Sequence, residues 1–187
     1  MLRRLLILIF IVGATNAIAQ HKNSASPKTT EKQSDPEIDY KQPGAPMPPL
    51  VFIPYYDSSV RERNRRQFMT GKDIDNGANL LIMMFNPTCG HCQATAIEMG
   101  KNKELFKKSK VLMLATKIMM PYLGDFVEFT HATDYSFVHL GVDSTDFVNN
   151  TFLYQSLPQI NIYNGERKLI RTYTGEVSID TLKQYIQ

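Results

Sequence analysis

Apolar and polar positions divide the chain near residue 50. From Gln20 to Pro46 only Ala25, Ile38, Tyr40 and Ala45 are apolar, four of 27 residues. So little apolar surface cannot offset the entropy of ordering the segment. Seven of the ten prolines fall between Pro27 and Pro54, which predicts a stiff, extended end to this tract. Beyond it, apolar runs alternate with helical patterns. Leu80–Phe85 (LLIMMF) is a continuous apolar run, as expected of a strand buried on both faces. Cys92 to about Lys108 reads as a helix with a basic last turn, bent at Gly100. Lys110–Ala115 is a second buried strand. Pro121 opens a further helix with Tyr122, Leu123, Phe126 and Val127 on one side. Phe137–Val142 is a third strand, and Asp146–Tyr154 is helical. Gln159–Tyr163 and Lys168–Tyr173 flank Asn164-Gly165, a dipeptide that favours a tight hairpin. A terminal helix from about Ser178 places Ile179, Leu182 and Ile186 at helical spacing. The order βαβαβαββα predicts an α/β protein, a mixed central sheet flanked by helices.

The first residues have a different pattern. Arg3 and Arg4 precede an apolar run from Leu5 to Val12, and small residues lead to Ala17-Ile18-Ala19. This is the layout of a cleaved secretory signal over residues 1–19. Cleavage after Ala19 leaves 187 − 19 = 168 residues. The alternative is an uncleaved anchor, but eight strictly apolar residues fall well short of the ~20 that span a bilayer. A membrane partner follows only if the signal is retained. The reading is an exported bacterial protein, periplasmic, where disulfides form and persist. Residues 20–49 are then a polar, proline-rich leader or tether, and residues 50–187 the folded domain. On this reading a chain beginning near Met47 keeps its full stability.

Composition narrows the function. The chain has 187 residues, 43% of them hydrophobic, with formal net charge +3, which excludes fibrous and wholly disordered classes. So small a charge, with no concentrated basic stripe, argues against a nucleic-acid partner. Arg61, Arg63, Arg65 and Arg66 read as a solvated basic face. Two cysteines are too few for a disulfide-stapled scaffold.

Both cysteines lie in Asn86-Pro87-Thr88-Cys89-Gly90-His91-Cys92, between the first buried strand and the next helix. In a first helical turn, residues i and i+3 share a face, so the sulfurs can form a short-loop disulfide. Cys89 sits where unpaired backbone N–H groups and the helix dipole favour negative charge, which increases the reactive thiolate fraction. Cys92, one turn in, is shielded and suits the resolving role: Cys89 attacks a partner disulfide, and Cys92 releases the partner from the mixed disulfide. His91 and Gly90, between them, are the tuning positions. A cationic imidazole stabilises the thiolate, hence the reduced form, and makes the disulfide more oxidising.

From Phe68 to Gln187 the chain resembles thioredoxin-superfamily thiol-disulfide oxidoreductases of the exported bacterial kind, and its Cys-Gly-His-Cys resembles the tetrapeptide of protein disulfide isomerases. The resemblance rests on the strand before the cysteines, Val142-Asp143 in the third strand, and Leu157-Pro158 opening a strand that ends Tyr163-Asn164-Gly165-Glu166. It implies a thioredoxin-like fold, a cis peptide before Pro158 facing the redox pair, and a substrate groove shaped by Leu157, Pro158 and Thr88. It implies protein thiols or disulfides as substrates, a redox partner protein, and no cofactor or metal. Three positions depart from the family. Thr88 replaces the tryptophan before the first cysteine, Met83 replaces a buried acid six residues before it, and Thr95 stands where many exported relatives place a glutamate. The proton-transfer group is therefore absent or relocated. Glu98 is the nearest acid along the helix but points to another face.

Competing readings fare worse. Zinc needs four ligands, and His21, His131 and His139 are not closely spaced. Covalent haem needs a histidine after the second cysteine, where Gln93 stands. Met119-Met120 at a strand end leave a copper carrier or non-catalytic binding module as the alternative class.

Overall fold

The computed structural model describes residues 38–56, 65–152 and 156–187, with only the backbone of Asn149. Seven strands form one sheet: β1 (Val51–Pro54), β2 (Met69–Thr70), β3 (Leu80–Met84), β4 (Lys110–Ala115), β5 (Val138–Asp143), β6 (Gln159–Tyr163) and β7 (Leu169–Thr174). Four α-helices accompany them: α1 (Gly90–Lys101), α2 (Leu123–Thr130), α3 (Phe147–Phe152) and α4 (Ile179–Leu182). The strand order is β2-β1-β5-β4-β3-β6-β7. β3, β4 and β5 run parallel, and the outer strands pair antiparallel.

The central strand explains the architecture. All five residues of β3 are buried. Leu81 and Met83 enter one apolar cluster with Cys92, Met99, Phe126 and Leu182. Leu80, Ile82 and Met84 enter a second with Leu112, Leu114, Val148 and Phe152. The unbroken apolar run is thus a strand with a helical layer on each face. At the end of β5, buried Asp143 accepts from the backbone N–H groups of Thr145 (3.1 Å) and Val148 (2.8 Å), and so starts α3.

Several boundaries differ from the sequence expectation, each for a local reason. α1 ends at Lys101, where Asn102 leaves helical geometry (φ −106°, ψ 28°) as the C-cap and its side chain donates to the Glu98 carbonyl at 2.9 Å. α1 is one continuous helix through Gly100, where a Cβ would stand 2.5 Å from the Tyr135 ring, so glycine permits that close approach. Pro121 lies inside a 3-10 segment, Lys117–Tyr122, and α2 begins after it at Leu123. The β6–β7 turn is wider than a two-residue Asn-Gly hairpin. The Asn164 side chain accepts from the Glu166 and Lys168 amides, and Arg167, not Gly165, takes the left-handed conformation (φ 59°). Gly165 instead lets the backbone of Gly77 approach, its carbonyl oxygen 2.3 Å from where a Cβ would sit.

The fold also reaches further back than Leu50. The Gly44 amide donates to the Leu169 carbonyl (2.8 Å), the Leu169 amide to Ala45 (2.8 Å), and the Met47 amide to Arg167 (2.7 Å). Pro46 bridges Lys168 antiparallel, Tyr40 meets Phe147 edge-on at 6.0 Å, and Pro48 is buried. Gly44–Met47 thus borders β7, although the composition around it reads as leader. The expected signal over residues 1–19 lies outside the described residues, as do Arg61 and Arg63. Arg66 is not merely solvated: it pairs with Asp73, whose carboxylate caps the turn at Thr70. Among the described residues no helix is long and apolar enough to cross a membrane.

Candidate functional site

The cysteine motif occupies the turn from β3 into α1. Phe85 is buried, and the Asn86 side chain then folds the chain by accepting from both the amide and the hydroxyl of Thr88, each at 2.9 Å. The Cys89 amide donates to the Asn86 carbonyl at 3.0 Å. Cys89 is the N-cap of α1, with extended backbone (φ −85°, ψ 119°), and its carbonyl accepts the first helical bond from Gln93 at 3.0 Å. The Gln93 side chain closes the turn by donating to the Pro87 carbonyl at 2.9 Å.

This geometry makes the cysteines unequal. Cys89 is partly exposed at the head of the helix, where orphan N–H groups face outward. Cys92, one turn in, is fully buried in the cluster with Met83, Met99 and Phe126. Burial pushes the Cys92 thiol up to about 12, and a hydrogen-bonded contact with Cys89 adds to this, while backbone hydrogen bonding at Asn86 opposes it. Both thiols are free and close together, as a Cys-x-x-Cys pair requires. Gly90 is exposed, with nothing within 4 Å of a potential Cβ. Its contribution is an open surface over the helix start.

The other predicted positions come to the same end of the sheet. Gln159 of β6 pairs with Met84 of β3, so Pro158 lies level with Phe85, beside the strand that delivers the motif. The Leu157–Pro158 peptide is cis, as the resemblance implied. Leu157 is half-buried against both apolar clusters, and Pro158 is buried. Met119 and Met120 lie in the 3-10 segment after β4, half-buried against the cluster that Cys89 also touches. Among the described residues no three His, Cys, Asp or Glu side chains are grouped to hold a metal.

The departures also have a structural sense. Met83 is wholly buried among apolar neighbours. Thr95 is buried with its hydroxyl committed to the His91 carbonyl at 2.8 Å. Glu98 turns away toward Asn102 (3.0 Å) and Lys101 (3.8 Å). The carboxylate that does reach the motif is one the sequence did not suggest. Glu176, in the loop between β7 and α4, accepts from Nδ1 of His91 at 3.1 Å. The same loop is tied to the proline side of the site, where the Gly175 amide donates to the Pro158 carbonyl at 2.8 Å. Its only sequence signal was Gly175, which takes φ +77°.

Neither a protein-family model nor a curated relative matches the chain. Solved structures do. A candidate thiol:disulfide interchange protein, DsbE, of Chlorobium tepidum superposes with TM-score 0.61 at 14% identity, over 77% of this chain and 94% of that one. The fold is thioredoxin-like. The thioredoxin domain of a Bacteroides vulgatus thiol-disulfide oxidoreductase superposes with TM-score 0.58 at 14% identity, over 78% and 99% of the two chains. A secreted Mycobacterium tuberculosis disulfide oxidoreductase gives 0.52 at 14% identity, over 63% and 86%. In this thioredoxin-like chain, then, the strand–motif–helix unit and the cis proline stand at one end of a mixed sheet.

Proposed function

We propose that the protein is an exported thiol-disulfide oxidoreductase that exchanges disulfides with protein substrates through Cys89 and Cys92. The observation that carries this is the inequality of the pair: one sulfur reachable at a helix N-terminus, the other buried one turn behind it with its thiol pushed up to about 12. A merely structural bridge over so short a loop would contribute little loop entropy, and nothing in it calls for one exposed member. The solved structures it resembles include a secreted disulfide oxidoreductase and a thiol-disulfide oxidoreductase domain, which supports the same reading.

In the exchange, the Cys89 thiolate attacks a partner disulfide, forming a Cys89–partner bond and releasing one partner thiolate. The Cys92 sulfur then attacks Cys89. The Cys89–Cys92 disulfide forms, the second partner sulfur leaves as thiolate, and the proton lost by Cys92 is matched by one gained there. The partner is reduced and the pair oxidised; the reverse sequence oxidises a dithiol. Thr88, Leu157 and Pro158 border the groove that receives the partner chain, and His91 and Gly90 set how readily the pair is reduced. The N-terminal sequence pattern supports a bacterial periplasm as the site of this work.

The test is trapping. Cys92→Ser should accumulate partners as mixed disulfides through Cys89, and Cys89→Ser should abolish exchange. Equal trapping by both variants would overturn the roles.

A further inference from the structure

Resolution of the mixed disulfide requires Cys92 to lose a proton in an apolar setting. Burial makes that thiol a weak acid, pushed up to about 12. Asp143 is the one buried acid among the described residues, and its oxygens are taken by the Thr145 and Val148 amides; Met83 is apolar and the Thr95 hydroxyl is committed to a carbonyl. Glu98 is engaged two turns along α1. Lys117, opening the 3-10 segment after β4, is a cation and cannot accept. A carboxylate does reach the motif in the contact between His91 and Glu176, 85 residues apart in sequence and joined at 3.1 Å.

A carboxylate bonded to Nδ1–H fixes the neutral imidazole with its lone pair on Nε2, and stabilises the imidazolium once that atom takes a proton. The ring is 70% exposed, so water reaches Nε2 freely. The loop carrying Glu176 is held by the Gly175–Pro158 bond, so the carboxylate is anchored to the wall of the site.

We infer that Glu176 and His91 form a proton relay for the resolving step, with Glu176 as the positioning residue and His91 as the acceptor. As Cys92 attacks the Cys89–partner disulfide, its proton passes through water to Nε2 of His91. The imidazolium, held by Glu176, then protonates the departing partner thiolate. One S–S bond forms and one breaks, and the proton count is unchanged. The relay rests on the exchange function proposed above and takes over the task that buried acids perform in other thioredoxin-like chains.

The test uses the reduced full-length protein with oxidised glutathione, acid-quenched and followed by mass. This resolves formation of the Cys89–glutathione disulfide from its loss to Cys92. Glu176→Gln and His91→Ala should each slow the loss step three- to tenfold more than the formation step. Their combination should be no slower than His91→Ala alone, and imidazole in the buffer should restore His91→Ala. Glu176→Asp should recover part of the rate. Equal slowing of both steps, additive slowing in the double variant, or a loss rate indifferent to Glu176 would each overturn the relay while leaving exchange itself intact. Failure of the parent protein to form the mixed disulfide would instead overturn the exchange function.

Discussion

Removing residues 1–46 should destabilise the domain, and the structure sets the size of the loss. A chain beginning at Met47 lacks the Gly44–Leu169 and Leu169–Ala45 backbone bonds, both 2.8 Å, and the Tyr40–Phe147 ring contact. Each backbone bond is worth about 0.5–1.5 kcal/mol net, and the aromatic pair about the same. Freed groups at a sheet edge regain water, so the lower ends apply and the three together come to about 1.5 kcal/mol. A chain beginning at Ile38 keeps all three contacts. The assay is urea unfolding of both truncations beside the full chain, with the cysteines kept reduced. With a slope of about 2 kcal/mol per molar, the Met47 start should unfold about 0.7 M earlier than the Ile38 start, at unchanged slope. The Ile38 start should match the full chain within about 0.2 M on the same scale. If the two truncations unfold together, Gly44–Met47 contributes nothing and the composition-based boundary at Leu50 is the better one.

Three further outcomes follow from single positions. His91→Pro should make the disulfide more reducing by tens of millivolts, about 30 mV being 1.4 kcal/mol for this couple. His91→Ala should move it the same way but less, since the ring is exposed; a glutathione-buffered equilibrium that leaves both at the parent value removes His91 as the tuning group. Gly100→Ala should lower the thermal midpoint despite alanine's helix preference of about 1 kcal/mol, because overpacking costs about 1–3 kcal/mol and the Tyr135 ring stands 2.5 Å from the new Cβ. A raised midpoint would show the ring yields freely. His139 is held below its ordinary 6.5, first by burial and then by the Lys110 charge. The unfolded chain therefore takes this proton first, and stability present above pH 6.5 is lost as pH falls below it. His139→Gln should flatten the fall in urea midpoint between about pH 7 and pH 5, where an ordinary histidine titrates; an unaltered fall would assign it to other groups.

The parts of this molecule that were legible in sequence are those with a local physical signature. LLIMMF is apolar at every position because β3 is covered on both faces, and the motif follows because a strand end and a helix start are where a reactive turn fits. β6 begins and ends where the apolar pattern placed it, at Gln159 and Tyr163. The cis peptide before Pro158 came from family resemblance, since composition carries no such signal. Other features were hidden because tertiary contacts determine them. β1 and β2 are four and two residues long, too short for a periodic pattern to mark them. Gly44–Met47 is ordered by pairing with residues 120 or more positions away, which a polar composition does not reveal. The His91–Glu176 contact joins the first turn of α1 to the loop before α4, with no shared periodicity, so the acid sought along α1 was found across the site instead.

The buried methionines give the fold an internal reporter. Met83, Met84, Met99 and Met113 are at most 1% exposed, and peroxide reaches a thioether only where solvent does. Sulfoxidation would place a polar, chiral group among side chains that offer it no partner. Under peroxide these four sulfurs therefore survive as long as the domain stays shut, and each opening puts them at risk together. Half-buried Met119 and Met120, by contrast, meet oxidant in the closed state. The ratio of damage between the two groups measures how often the native protein opens, and it links the lifetime of the protein to the tightness of its core.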